Sequence, residues 1–319
     1  MPRRLSACSS SLSVATRFTY RNLGRTIEDR CDFDAAYPEA NGNTCVIINP
    51  GSSSPFATGQ GVHTCDGRDY IDSSGNLPQS QCTGPQTLNV SIPAAERKYH
   101  GVELVVKKRV SDALWAQASY LWSHVYGNYD GEASIGEFTY AGGGQTDPGI
   151  NADYDYPGFL KFAQGNLFLD RRHAFRLDVA YTAPFGMTVG FNAHVKSGAP
   201  LSKYGYYNGG YGAEANFVTP RGSEGNLPTD YDLNLSLAYA LKLDPVTITL
   251  FAQGFNLLNK QTIWGVDQDC SVNPPTNNNA ALVSNCSVVT NPDGANPNYG
   301  KVTWRAAPAS VKLGARVSF

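Results

Sequence analysis

Eight stretches of this 319-residue chain alternate apolar and polar side chains at every second position, each over 11 to 14 residues. They are residues 12–22, 98–110, 113–126, 172–184, 187–198, 229–241, 246–257 and 309–319. Alternation with period 2 marks a β-strand with one apolar face, because successive Cβ atoms point to opposite sides of the pleat. The clearest stretch sets Tyr231, Leu233, Leu235, Leu237, Tyr239 and Leu241 against Asp232, Asn234, Ser236 and Ala238. In another, Phe175, Leu177, Val179 and Tyr181 alternate with Arg176, Asp178 and Ala180. Strands of ordinary globular domains run about 5–6 residues, whereas a tilted strand that crosses a bilayer needs about 9–11. These strands are of the second kind.

The connections alternate as well. Residues 23–97, 127–171, 199–228 and 258–308 are long; residues 111–112, 185–186 and 242–245 are short. Strict alternation puts all short turns on one rim and all long loops on the other, the arrangement of outer-membrane barrels. A soluble β-sandwich has no reason to segregate its loops this way. The expected fold is therefore all-β: an antiparallel transmembrane β-barrel portion of about eight long strands. Tyr120, Trp122 and Tyr126 sit near one strand end, and Tyr181, Phe185, Tyr231 and Phe319 near others, positions that suit either aromatic girdles at the two interfaces or the packing of a core.

Composition narrows the rest. With 32 glycines and 19 prolines, long helices are disfavoured, and no apolar run approaches the roughly 18 residues of a spanning helix. A formal net charge of −2 gives no electrostatic footprint for nucleic acid. The mean hydropathy of −0.31 suits a barrel wall whose apolar residues occupy alternate positions between wet loops. On the polar side of the strands lie Glu103, Lys107, Arg176, Asp178, His194, Lys196, Lys312 and Arg316, expected to face a lumen.

Six of the seven cysteines fall in loop-like stretches and pair by proximity: Cys31 with Cys45, Cys65 with Cys82, and Cys270 with Cys286. Each pair closes a loop of about 14 to 18 residues, a constraint worth ~3 kcal/mol in an oxidising compartment. A metal site is the weaker reading, since no CxxC occurs and the five histidines are scattered. No cofactor is expected. HExxH, GxSxG and a phosphate-cradling glycine loop are absent, and GEASIG around Ser134 has the wrong spacing for a nucleophile elbow, so no enzyme is expected. Two loop clusters remain. Tyr204, Tyr206, Tyr207 and Tyr211 offer flat amphipathic rings for a ligand, or an aromatic rim at headgroup level. Asp147, Asp153 and Asp155 lack the spacing and ligand number of a calcium loop and read as solvated.

The last stretch sets Val311, Leu313, Ala315, Val317 and Phe319 on one face and stops on that phenylalanine. It resembles the C-terminal signal by which bacterial outer-membrane barrels are recognised by the barrel-assembly machinery. TDYDLNLSLAYALKL followed by PVTITLFAQGFNLLNKQ resembles the final hairpin and FNLLN element of TonB-dependent receptors. SGAPLSKYGYYN and TPRGSEGNLPTDYDLNLSL resemble in particular the Oar-like branch, with its carboxypeptidase-regulatory-like N-terminal domain. The likeness runs from about Leu12 to Phe319. It implies a bacterial outer-membrane receptor that takes up a large or scarce, unidentified solute, surrounded by outer-membrane lipid and energised through TonB. The family has a 22-stranded barrel, a plug, a TonB box and a signal peptide. Met1 to Ser13 carries Arg3 and Arg4 but no apolar h-region. The expectation is that residues 1–319 are a C-terminal barrel part without plug or signal peptide, a fragment or late gene start inactive in transport alone. The rival readings are a complete eight-stranded barrel serving as anchor or adhesin, and a soluble secreted β-sandwich lectin.

Overall fold

The computed structural model describes residues 11–30, 46–51, 60–63, 86–89, 93–129, 154, 160, 162–208, 213–270 and 295–319. Eight long strands form one wall: β1 (Ser11–Leu23), β2 (Arg97–Arg109), β3 (Leu114–Gly127), β4 (His173–Thr182), β5 (Met187–Lys196), β6 (Asp230–Leu243), β7 (Val246–Phe255) and β8 (Ser310–Ser318). They pair in chain order as an antiparallel meander, each with its sequence neighbours. The sheet is open: β1 and β8 stand at its two ends. The two-residue strand Gly165–Asn166 adds to the long-loop end of β3.

Register sorts the side chains. Phe18, Val102, Trp122 and His173 follow one another across β1 to β4, as do Phe191, Leu235 and Gly254 across β5 to β7. The outer face is thus apolar from β1 to β8, and Val311, Leu313, Ala315 and Val317 lie on it through their pairing with β7. Leu12, Val14, Phe18, Leu250, Leu313 and Val317 are all exposed there, which in water would be a severe cost and in a bilayer is none. Aromatic residues bracket this face: Tyr20, Tyr120, Trp122 and Tyr126 toward the long loops, Tyr181, Phe185 and Tyr239 toward the short turns.

The short rim is made by residues 110–113, 183–186 and 244–245. Ser111 closes the first turn, its Oγ accepting from the backbone N–H of Ala113 (3.2 Å) and Leu114 (3.1 Å). Gly186 takes φ +91 in the second, a region open to glycine. The third contains a cis Asp244–Pro245 peptide. Within the wall, Gly314 lies directly opposite Phe251, and a Cβ on it would sit 2.2 Å from the ring. The glycine makes the seat for that ring.

The long connections contain further small hairpins, at 28–30 with 46–48, 60–63 with 86–89, 204–208 with 213–217, and 263–266 with 302–305. Strands of three to five residues are too short to show a period, so in the sequence these stretches are indistinguishable from loops.

The FNLLN element, Phe255–Asn259, starts where β7 ends. Asn256 (φ +47) and Asn259 (φ +48) are both left-handed, a conformation asparagine tolerates better than other non-glycine residues. Asn256 receives the backbone N–H of Lys260 on its Oδ1 (3.0 Å) and donates through Nδ2 to the carbonyls of Lys260 (3.2 Å) and Ala307 (2.7 Å). Asn259 Oδ1 accepts from the N–H of Ala309 (3.0 Å). Both asparagines therefore fasten the end of β7 to the entrance of β8. Asn256→Ala loses the side-chain bonds and the tolerance of positive φ, and is expected to cost about 3 kcal/mol in urea unfolding from detergent micelles. Asn256→Gly keeps the backbone freedom and is expected to cost roughly 1 kcal/mol less.

Candidate functional site: the polar face and the loop bases

All eight polar residues singled out from sequence fall on one side of the wall. Pairing places Glu103 opposite Arg17, Asp178 opposite Asn192, His194 opposite Asp232, and Lys312 opposite Gln253, always on the face away from the apolar band. In the middle of the wall the groups neutralise each other. Arg176 Nε donates to Asp178 (2.9 Å), Asn192 Nδ2 to Asp178 (2.6 Å), and Asn234 Nδ2 to Asn192 (3.3 Å) and Asp232 (3.0 Å). The chain of bonds continues to the N–H of Asn256, which donates to Asn234 Oδ1 (2.9 Å). A connected polar ladder of this kind ties four neighbouring strands, β4 to β7, together.

At the long-loop rim, acids are anchored by buried bonds. Asp170, just before β4, is 3% exposed. Its Oδ1 accepts from the N–H of Val125 (2.9 Å) and its Oδ2 from Arg172 Nε (2.7 Å), with His124 Nδ1 at 3.2 Å. Asp230, the first residue of β6, is 4% exposed and faces Lys196 Nζ at 3.1 Å and His194 Nε2 at 3.7 Å. Lys196 lies over the Trp264 ring (5.4 Å), and Trp304 meets Trp264 edge to face at 5.5 Å. Trp264, Trp304, Arg171 and Lys196 line a cleft of about 170 Å³. Burial lowers the Arg171 guanidinium from its ordinary pKa, against the opposing pull of Asp170 and Asp230.

A third anchor ties together the two ends of the loop between Val266 and Val302. Asp267 Oδ1 accepts from the N–H of Asp269 (3.0 Å), and Asn296 Nδ2 reaches both Asp267 Oδ2 (3.0 Å) and the Asp269 carbonyl (2.6 Å). Burial, and then the neighbouring Asp267 carboxylate, push the Asp269 carboxyl up to about 6.

The sequence-derived site residues are scattered among these features. Tyr204 is fully buried, its ring 4.9 Å from Phe217, so it packs the base of its hairpin. Tyr206 and Tyr207 lie on the strand Tyr204–Asn208, while Tyr211, Ser134, Asp147, Asp153 and Asp155 lie outside the described residues. Cys270 is disulfide-bonded; Cys31, Cys45, Cys65, Cys82 and Cys286 lie outside the described residues. Val311, Leu313, Ala315 and Val317 face outward on the end strand β8, and Phe319 follows it fully exposed. Asp170, Asp230, Trp264 and Trp304 were not found from sequence. The only signal was an Asp or Asn near the long-loop end of five of the eight alternating stretches: Asn22, Asn128, Asp170, Asp230 and Asn256.

An apolar band outside, a polar ladder inside and long loops on one rim define an outer-membrane barrel wall. Residues 22–210, over half of the chain, match the family model for the outer membrane beta barrel domain, and the chain belongs to that family of bacterial outer-membrane proteins. It is 31% identical over 183 residues to the TonB-dependent transporter Oar of Myxococcus xanthus, a match covering 56% of this chain and 16% of Oar. Among solved structures it is similar to the unliganded ferric citrate transporter FecA, at 14% identity over 73% of this chain and 26% of that one, with a TM-score of 0.35. It is also similar to the outer membrane transporter YddB from Escherichia coli, at 9% identity over 96% and 30%, with a TM-score of 0.43. The chain thus spans under a third of each of these relatives.

Two outcomes follow from the anchors. Asp170→Ala leaves the buried Val125 N–H without its acceptor and the partly exposed Arg172 without its ion-pair partner, and is expected to cost about 2–3 kcal/mol of stability, read by urea unfolding. Asp269 binds its proton more tightly when folded than when unfolded, so its contribution is fully present below about pH 4 and is lost as pH rises toward about 6. Asp269→Asn is therefore expected to raise the melting temperature at pH 7.5 and leave it unchanged at pH 4.

Proposed function

We propose that this chain forms the C-terminal part of the barrel wall of an Oar-like TonB-dependent receptor. The intact receptor takes up a large or scarce solute across the outer membrane. Energy reaches it from TonB through an N-terminal region and plug; the wall contributes the lumen surface and the long loops contribute the capture surface. In this reading β8 presents its apolar face and free edge to the barrel-assembly machinery during insertion.

The observation that carries the reading is the open wall itself. Eight bilayer-length strands pair in order, yet β1 and β8 do not meet. In hydrocarbon every unpaired backbone N–H and C=O costs several kcal/mol, so both edges need further strands. The 31% identity to Oar supplies the receptor class.

The test uses cysteines introduced singly at Val14, Thr16 or Phe18 of β1 together with one at Val311, Leu313 or Ala315 of β8, in cells expressing the protein. The expected result is no β1–β8 disulfide, and uptake by the intact receptor that fails when TonB is deleted. Efficient cross-linking between the two strands would instead establish a closed eight-stranded barrel and defeat the receptor reading. A detergent-free soluble monomer would defeat both.

A further inference from the structure

The polar face is not uniformly balanced. Where β1 and β2 approach the long-loop rim, Arg17, Arg21, Arg97, Tyr99, Glu103 and Leu169 line a cleft of about 720 Å³. Pairing sets Arg17 opposite Glu103 and Arg21 opposite Tyr99, so these groups share one face and adjacent levels. Tyr99 folds over Gly101, where a Cβ would lie 2.5 Å from the tyrosine hydroxyl; the glycine lets the ring lie down and leaves the hollow open. Behind it Leu121 and Val125 of β3 form an apolar back wall.

Two guanidiniums of β1, Arg17 and Arg21, meet one carboxylate, Glu103. Glu103 contacts Arg17 at 3.1 Å, but the Arg17 side chain is 76% exposed, so the pair is loose and leaves Arg17 able to turn to another partner. Arg21 makes no ion pair among the described residues. Glu96, the acid just before Arg97, is engaged by Lys98. Apolar walls concentrate the field of such an excess, and planar guanidinium forks match carboxylate and phosphate oxygens two at a time. The volume lies within the roughly 300–1,000 Å³ of small-molecule sites.

We propose that this cleft binds a small solute bearing two or more carboxylate or phosphate groups, held by Arg17 and Arg21 with Arg97 and the Tyr99 ring beside them. The inference rests on the polar face being the lumen of the receptor, and it names the chemical class of what that receptor captures.

The test is calorimetric titration of the full-length, heat-modifiable receptor in detergent with inorganic tripolyphosphate, propane-1,2,3-tricarboxylate and, as a neutral probe, maltose. The expected result is saturable binding of at least one anion, weakened severalfold by high salt. Arg21→Gln is expected to weaken it about tenfold, and Arg17→Gln with Arg21→Gln to abolish it. Lys312→Gln, the same loss of charge on the far strand β8, is expected to leave it within about twofold. Which anion binds distinguishes phosphate from carboxylate chemistry. Absence of anion binding, equal binding of maltose, or an equal loss in Lys312→Gln overturns the proposal. A receptor that folds and transports but binds neither anion defeats this inference alone and leaves the receptor reading standing.

Discussion

Backbone hydrogen bonding in a medium without water is the interaction on which the rest of this structure depends. A strand in hydrocarbon cannot leave its N–H and C=O groups to solvent, so each must be paired by a neighbour of matching length. That requirement explains strands of 9 to 14 residues and their strict order in the meander. It also fixes the register. A slip of one residue would carry Arg176, Asp178 and Lys196 to the bilayer and Leu177, Val179 and Val195 to the lumen, reversing every favourable transfer in the wall. Short turns hold the register at one rim, where Ser111 and Gly186 leave little room for an extra residue.

The opposite rim has no short turn to hold it, and there the chain relies on side-chain anchors. Asn128 is tied to the backbone of Glu96 and Ala94 and to Tyr154 at the end of β3; Asp170 clamps β3 to β4; Asn256 clamps β7 to β8. Each is nearly buried and bonds backbone groups that would otherwise be unsatisfied at a strand end. The long loops therefore rise from a stiff ring.

What was legible in the sequence follows the same division. The wall strands and their two faces could be read because alternation is local and repeats over ten or more positions. Tyr231 to Leu241 announce their face without reference to any other strand. The anchors could not be read, because their partners are distant: Asp170 meets Val125, Asn256 meets Ala307, and Ser202 donates its N–H to Gln268 at 2.6 Å. Tyr204 shows the cost of reading a loop by composition. Its glycine-rich surroundings suggested an exposed ring, but pairing with Phe217 across a short hairpin puts it inside. FNLLN could be noticed as a family resemblance, while the reason for its two asparagines, left-handed backbone and bonds to the entrance of β8, is visible only in three dimensions.

The charges at the two edges bear on how the wall is completed. The inner face of β1 carries Arg17 and Arg21, and that of β8 carries Lys312 and Arg316, with no acid on either strand. Closing β1 directly onto β8 would bring these four cations into neighbouring positions inside a narrow eight-stranded interior filled with side chains. Like charges on adjacent strands are destabilising, and more so where water is scarce. The central strands show the alternative, since β4 to β6 place Arg176 beside Asp178 and Lys196 beside Asp230. In the receptor reading proposed above, further strands separate β1 from β8, and a chain that neutralises its middle and carries cations at both edges suits the wide, wet lumen that results. In that setting the surplus at β1 remains available to an anionic solute.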